Sequence, residues 1–239
     1  MSALEAYNTG LDYSYAPGIF PCMECVLKRP ELVRRVLVHS DSLAHEGIIK
    51  LQALCEKQHI RVETADKALR RISGKENCFA AAVFEKCESA LDAQLPHVVL
   101  DRPSDFGNLG TILRTCLGFG IGDIALIRPC ADVFDPKVVR ASMGALFSLS
   151  IGCYASFEAY REAYRAHHVY PFMLDGSEAL DRVTIKRPYT LVFGNEGSGL
   201  DVSFQSAGQT VRIPHGTGID SLNLSVAAAI GIYHFTREA

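Results

Sequence analysis

The chain contains no tryptophan and only four methionines among its 239 residues. It also has no apolar run long enough to cross a bilayer, which takes about 20 residues as a helix. Its start, Met1-Ser2-Ala3-Leu4-Glu5, lacks both the basic opening and the apolar core of a secretory signal. A cytoplasmic protein with no membrane partner is expected. Excess charge is missing as well: 24 Lys and Arg stand against 27 Asp and Glu, a formal net charge of −3. That balance argues against a bulk nucleic-acid coat and leaves room for RNA contact only through a local basic patch or across a subunit interface.

Several chemical signatures are absent. No G-x-x-x-x-G-K-[ST] occurs, which argues against P-loop nucleotide chemistry. Gly118-Phe119-Gly120-Ile121-Gly122 has the wrong spacing for a dinucleotide fingerprint and follows a helix, so it reads as a helix stop and turn. Nothing resembles a Ser-His-Asp triad with a nucleophile elbow. The eight cysteines are too few for a disulfide scaffold at this length, and Cys116 and Cys153 read as buried thiols. The single C-x-x-C, Cys22-Met23-Glu24-Cys25, lacks a second ligand pair, because Cys78 and Cys87 are wrongly spaced for a ribbon or knuckle. No metal is expected. His167-His168 ends a helix, where imidazole suits the dipole.

What is present is an alternation of strands and helices. Hydrophobic residues make up 48% and charged residues 21%, enough for an ordinary core. Residues 1–88 read as a small α/β unit: strands at 35–39, 59–62 and 79–84, and helices at 43–57 and 66–72. Residues 89–96 form a polar linker closed by Pro96. Residues 97–239 read as a larger unit with strands at 97–100, 123–127, 169–174, 189–193 and 210–213. Its helices are expected at 108–119, 136–147, 157–167 and 221–235. The expected architecture is α/β, a parallel sheet with helices on both faces.

Three polar, glycine-bearing blocks interrupt this pattern. They are Asp105 to Thr115, Leu191 to Leu200, and Ile213 to Ser225. Polar side chains at apolar-to-glycine junctions cost stability unless something uses them, and three such junctions suggest one assembled site. The glycines of 194–199 follow a strand and suit either an anion cradle or a plain turn. Asn108 and Arg114 lie six apart, close to two helical turns, on a similar face. One reading makes Asn108 a helix N-cap and Arg114 an unrelated surface residue. The other notes that Arg114 borders the apolar face through Ile112, Leu113 and Leu117. There it would pair with a carboxylate or phosphate, and Glu196 is the natural partner.

At these blocks the chain resembles the SpoU (TrmH-like) branch of the SPOUT RNA methyltransferases, over about residues 97–238. The family's three motifs are read in order, in Asn108 to Thr115, in Phe193 to Leu200, and in Ile213-Pro214 through Ser221 to Ser225. Pro136 to Phe147 is similar to its middle helix. The resemblance implies a C-terminal SPOUT α/β domain closed by a deep trefoil knot, preceded by a small α/β RNA-binding domain. It implies S-adenosylmethionine as cofactor, a homodimer, and methyl transfer to a ribose 2′-hydroxyl of rRNA or tRNA, with rRNA slightly preferred. It further implies that Gly194, Ile213 and Leu222 hold the cofactor, and that Arg114 is the base or alkoxide stabiliser. Asn108 and Glu196 would orient Arg114 and the loop, while Ser221 and Asn223 would shape the pocket floor. Lys67, Arg70, Arg71 and Lys75 would form an RNA-binding face on the first unit. The alternative implied function is a knotted RNA-binding or ribosome-assembly factor without catalysis.

Overall fold

The computed structural model describes residues 4–73 and 78–237. Its contacts divide into two compact units, one of Met1–Cys87 with Asp132–Ser148, the other of Glu88–Ala131 with Leu149–Ala239. The sequence reading places 132–148 in the second unit. By its contacts this segment belongs to the first.

The first unit carries β1 (Tyr13–Pro17), α1 (Ile19–Lys28), β2 (Val33–Val38), α2 (Glu46–Lys57), β3 (Val62–Thr64), α3 (Asp66–Ser73) and β4 (Ala80–Glu85). The strands form one sheet in the order β1-β4-β2-β3, antiparallel across β4 and parallel between β2 and β3. Sequence reading does not find β1 or α1. The reason is local: Pro17, Gly18 and Pro21 look like breakers. In the structure Gly18 has φ 107 and turns the chain directly into α1, whose first turn holds Pro21. Cys22 and Cys25 sit on the inner side of α1, fully buried, and burial pushes both thiols up. Among the described residues no three His, Cys, Asp or Glu side chains converge as a metal-ligand group.

The second unit contributes β5 (His97–Asp101), α4 (Phe106–Gly118) and β6 (Asp123–Ile127). Then α5 (Pro136–Ala141) follows within the first unit's contacts, before β7 (Ser150–Tyr154) and α6 (Phe157–Ala163). The chain ends through β8 (His168–Pro171), β9 (Glu178–Ala179), β10 (Tyr189–Phe193), β11 (Val211–Arg212) and α7 (Leu224–Arg237). Five strands form a parallel sheet in the order β7-β6-β5-β10-β8. The strand pattern shows helices on both faces. Val192 packs in a cluster with Phe157, Tyr160 and Tyr164 of the α6 region. Its neighbour Tyr189 meets Phe235 of α7 on the opposite face, ring centroids 5.2 Å apart. No helix among the described residues is long and apolar enough to cross a membrane.

Element ends differ from the sequence reading for identifiable reasons. The helix expected over 136–147 stops at Ala141, because Met143 and Gly144 take φ of 53° and 81°. The helix expected from Asn108 starts at Phe106, because Asp105 is its N-cap and accepts the Asn108 N–H at 2.7 Å. The N-cap reading of Asn108 is therefore overturned. The last helix starts at Leu224, three residues late, because the Asn223 side chain accepts from Ser225 N–H at 2.8 Å and from Ser225 Oγ at 2.7 Å.

Beneath the amino ends of β5 and β10 runs a buried polar chain. His97 Nε2 donates to the Asp92 carbonyl at 2.8 Å, and His167 Nε2 donates to the Ala93 carbonyl at 3.0 Å. Tyr160 and Thr190 hydroxyls link the two Nδ1 atoms. This chain anchors the linker residues to the sheet. Burial holds the His97 imidazole down to about 4, and His167 is lowered for the same reason.

Candidate active site

In the sheet order, β5 is followed on one side by β6 and β7 and on the other by β10 and β8. The chain thus leaves the two central strands in opposite senses at their carboxyl ends. In open α/β sheets that switch point is where ligands bind. Two loops rise there: 102–105 after β5 and 194–200 after β10.

The second loop is a tight turn. Asn195 N–H donates to the Gly199 carbonyl at 3.2 Å, and Gly199 N–H returns to the Asn195 carbonyl at 2.9 Å. Gly194 has to be glycine, since a Cβ there would lie 2.2 Å from the Gly199 carbonyl carbon. Asn195 Oδ1 accepts the N–H groups of Gly197 and Ser198, while its Nδ2 donates to the Arg102 carbonyl at 2.8 Å. Glu196 crosses the switch point. Its Oε2 accepts from Ser104 N–H at 3.0 Å and Ser104 Oγ at 2.7 Å, and its Oε1 accepts from Asp105 N–H at 3.0 Å. Burial raises the Glu196 carboxyl, but these hydrogen bonds together outweigh it and hold the group below its ordinary range.

Beside this loop lies a cavity of about 310 Å³, at the small end of ligand sites, which run roughly 300–1,000 Å³. Its apolar wall includes Phe172 and Phe193, stacked at 4.5 Å, with Leu200, Ile213, Leu222 and Leu224. Its polar edge includes Asp175, Asn195, Glu196, His215 and Ser221. Among the described residues, the peptide N–H groups of His215, Ser221 and Leu222, which line the cavity, find no backbone carbonyl within the chain. They are open donors on the cavity's flank.

The SpoU rRNA Methylase family pattern matches residues 96–233, more than half of the chain. The chain belongs to the SpoU family. It is similar to the 23S rRNA (guanosine(2553)-2′-O)-methyltransferase RlmP of Bacillus subtilis, 27% identical over 89% of this chain and 84% of that protein. It is also similar to a 23S rRNA (uridine(2479)-2′-O)-methyltransferase of Streptomyces viridochromogenes, 33% identical over 59% of this chain and 52% of that one. An uncharacterized tRNA/rRNA methyltransferase of Synechocystis is 31% identical, and the matched segment spans 53% of its length. Among solved structures, the SpoU methyltransferase AviRb of Streptomyces viridochromogenes in complex with AdoMet superposes with a TM-score of 0.82 and 26% identity. It covers 95% of this chain and 90% of its own. The AdoMet-bound rRNA methyltransferase of Sinorhizobium meliloti gives 0.80 and 27%, over 95% and 88%.

Within this SpoU chain, the structure gathers Gly194, Ile213, Leu222, Glu196 and Ser221 around one cavity. Asn223 and Asn108 meet each other, Asn223 Nδ2 donating to Asn108 Oδ1 at 3.1 Å. Arg114 lies further along α4, exposed, and among the described residues its side chain makes no hydrogen bond or ion pair. The pairing of Arg114 with Glu196 expected from sequence is not made, because both Glu196 oxygens are taken by the 104–105 segment. Lys67, Arg70 and Arg71 are exposed on α3, three and four residues apart and so on one face. Arg71 also donates to the Leu4 carbonyl at 3.1 Å. Lys75 lies outside the described residues. Sequence reading misses Ser104 and Asn195 as site residues, and Phe172, Leu174, Asp175 and His215 as cavity walls. Asn195 and His215 lie inside the second and third polar blocks, which was their signal, and Ser104 stands just ahead of the first, whereas Phe172, Leu174 and Asp175 lie outside all three.

The residues fit S-adenosylmethionine. The apolar wall suits an adenine ring, the open N–H groups of His215, Ser221 and Leu222 suit its nitrogens or a carboxylate, and Asp175 gives the cavity edge the negative charge a sulfonium or ammonium group prefers.

Proposed function

We propose that this chain is an S-adenosylmethionine-dependent RNA methyltransferase that methylates a ribose 2′-hydroxyl, with rRNA the favoured substrate. The observation that carries the reading is the cavity at the switch point, which brings Gly194, Ile213 and Leu222 together beside Glu196 and Ser221. When bound there, S-adenosylmethionine supplies an electrophilic methyl group on sulfur. Gly194, Ile213 and Leu222 hold it, largely through backbone groups and apolar contact.

Arg114 faces solvent without an internal partner, so its guanidinium is available to an RNA phosphate and to the oxygen that gains charge as it is methylated. An arginine keeps its proton, so stabilising that oxygen is the role its chemistry supports best. Asn108 and Asn223 tie the starts of α4 and α7 together, and Ser221 lines the floor of the cavity.

The finer reading follows the family resemblance. The segment from β10 through α7 would form the trefoil knot, and the first unit would recognise RNA through Lys67, Arg70, Arg71 and Lys75. A homodimer is supported by an exposed apolar stripe shared by two packed helices. On and just beyond α4 it holds Leu117 and Phe119, and on α7 it holds Val226, Ile230 and Tyr233. The Phe119 and Tyr233 rings meet at 5.7 Å. A second copy covering such a stripe is the usual remedy for a contiguous exposed patch.

Calorimetry with S-adenosylmethionine, followed by transfer of labelled methyl to RNA from cells lacking the protein, tests the reading. Binding with transfer supports it. A chain that binds no cofactor would favour the non-catalytic RNA-binding alternative.

A further inference from the structure

We propose that Ser104 is a positioning residue of the methyl-transfer site, and that Glu196 acts through Ser104 and Asp105 rather than on Arg114 or on the reacting atoms. This rests on the methyltransferase reading above.

The geometry is that of a clamp. One carboxylate accepts four donors: Ser104 N–H and Oγ–H and Asn195 Nδ2 on Oε2, and Asp105 N–H on Oε1. Hydrogen bonds that favour the charged form make this carboxylate a poor acceptor for a substrate proton. What it grips is the pair of residues immediately ahead of α4. Asp105 is the helix cap, holding Asn108 N–H at 2.7 Å. Asn195 holds the Arg102 carbonyl from the same side, and Arg102 takes a left-handed φ of 53°, a conformation that non-glycine residues keep only when the surroundings enforce it. The loop after β10 therefore fixes both ends of segment 102–105, and that segment fixes where α4 begins.

The lever is long. Arg114 is nine residues beyond Asp105, about 13 Å along the helix at 1.5 Å per residue. A tilt of about 5° at the cap moves its backbone by about 1 Å, and a misplacement of that size costs on the order of a hundredfold in rate. Loss of one hydrogen bond of the clamp allows part of such a tilt.

Three variants test this: Ser104→Ala, Ser104→Thr and Glu196→Gln. Ser104→Ala removes only the Oγ bond, and kcat is expected to fall by about tenfold, with KM for RNA and the calorimetric Kd for S-adenosylmethionine within about twofold of wild type. Ser104→Thr keeps the hydroxyl and is expected to restore kcat to within about threefold. The kcat–pH profile of Ser104→Ala is expected to keep its shape at a lower plateau. Were Glu196 the base, losing a donor would raise its pKa and move the acid limb upward. Glu196→Gln places amide hydrogens against peptide donors, so hydrogen exchange at the Asp105 and Asn108 amides is expected to quicken whether or not RNA is methylated. Wild-type kcat in Ser104→Ala, failure of threonine to rescue, a moved acid limb, or unchanged exchange in Glu196→Gln would each overturn the assignment. A wild-type chain that neither binds S-adenosylmethionine nor methylates RNA would instead remove the reading beneath it, with the exchange result separating the two failures.

Discussion

Asn223 and Asn108 are joined side chain to side chain, with Asn223 Nδ2 donating to Asn108 Oδ1 at 3.1 Å. They come from motifs 115 residues apart in the chain. Asn223 Oδ1 at the same time caps α7 through Ser225. One side chain thus starts the last helix and ties it to the helix that carries Arg114.

That double role can be separated. Asn223→Ala removes the cap and the tie, and is expected to cost about 1 kcal/mol of stability in a denaturant titration, the usual worth of an N-cap. Asn223→Asp keeps the cap oxygen but loses the donor to Asn108. Its stability is expected to stay nearer to wild type, while methyl transfer falls at least as far as in the alanine variant. Full activity in Asn223→Asp would show that the Asn108 contact is incidental.

Arg114 is exposed and unpaired within the described residues, so its removal leaves no buried partner stranded. Arg114→Ala is expected to abolish methyl incorporation into RNA, with S-adenosylmethionine affinity within a few-fold of wild type. Arg114→Lys keeps the charge and loses the planar fork, and is expected to rescue poorly. Scintillation counting of labelled RNA and calorimetry read the two quantities separately, and near-wild-type transfer would remove Arg114 from the mechanism.

Leu222 lines the apolar side of the cavity. Leu222→Asp sets a carboxylate against an adenine-sized apolar wall and is expected to weaken S-adenosylmethionine binding by tenfold or more. Unchanged calorimetric affinity would mean that the cofactor lies elsewhere.

Stability is expected to fall on the acid side through the buried histidines. His97 has its imidazole lowered from 6.5 to about 4 by burial. A basic group whose pKa is lower folded than unfolded binds its proton more readily when unfolded, so stability is fully present above about pH 6.5 and is lost as pH falls toward 4. The drop is on the order of 3 kcal/mol for this group, from 1.36 kcal/mol per unit. His167 adds in the same direction. Asp123, whose carboxyl burial raises, acts in the opposite sense at lower pH. Denaturant titrations between pH 8 and pH 4 check this, and replacing His97 with glutamine should flatten part of the slope.

Much of the second unit was legible in sequence because its strands are short apolar runs bounded by glycine and proline. His97 to Leu100, Asp123 to Ile127 and Tyr189 to Phe193 all lie within strands of the sheet. The first motif's position was legible, but its local chemistry was not. Asp105, not Asn108, caps α4, a choice set by the backbone just ahead of the helix. The partner of Glu196 was illegible for a different reason: Ser104 is 92 positions away, and only the pairing of β5 with β10 brings them together. The first unit's opening strand and helix were hidden by Pro17 and Pro21, which suit an edge strand and a first helical turn respectively.

The most direct test is the chemical position of the transferred methyl. RNA from cells lacking the protein is incubated with the purified chain and methyl-labelled S-adenosylmethionine, hydrolysed with alkali, and resolved by mass spectrometry. A methyl on the 2′-oxygen blocks cleavage of the adjacent phosphodiester, so the account predicts label in an alkali-resistant dinucleotide that yields a 2′-O-methylnucleoside. Label recovered in a base-methylated nucleoside, or no label at all from a chain that binds the cofactor, would contradict it.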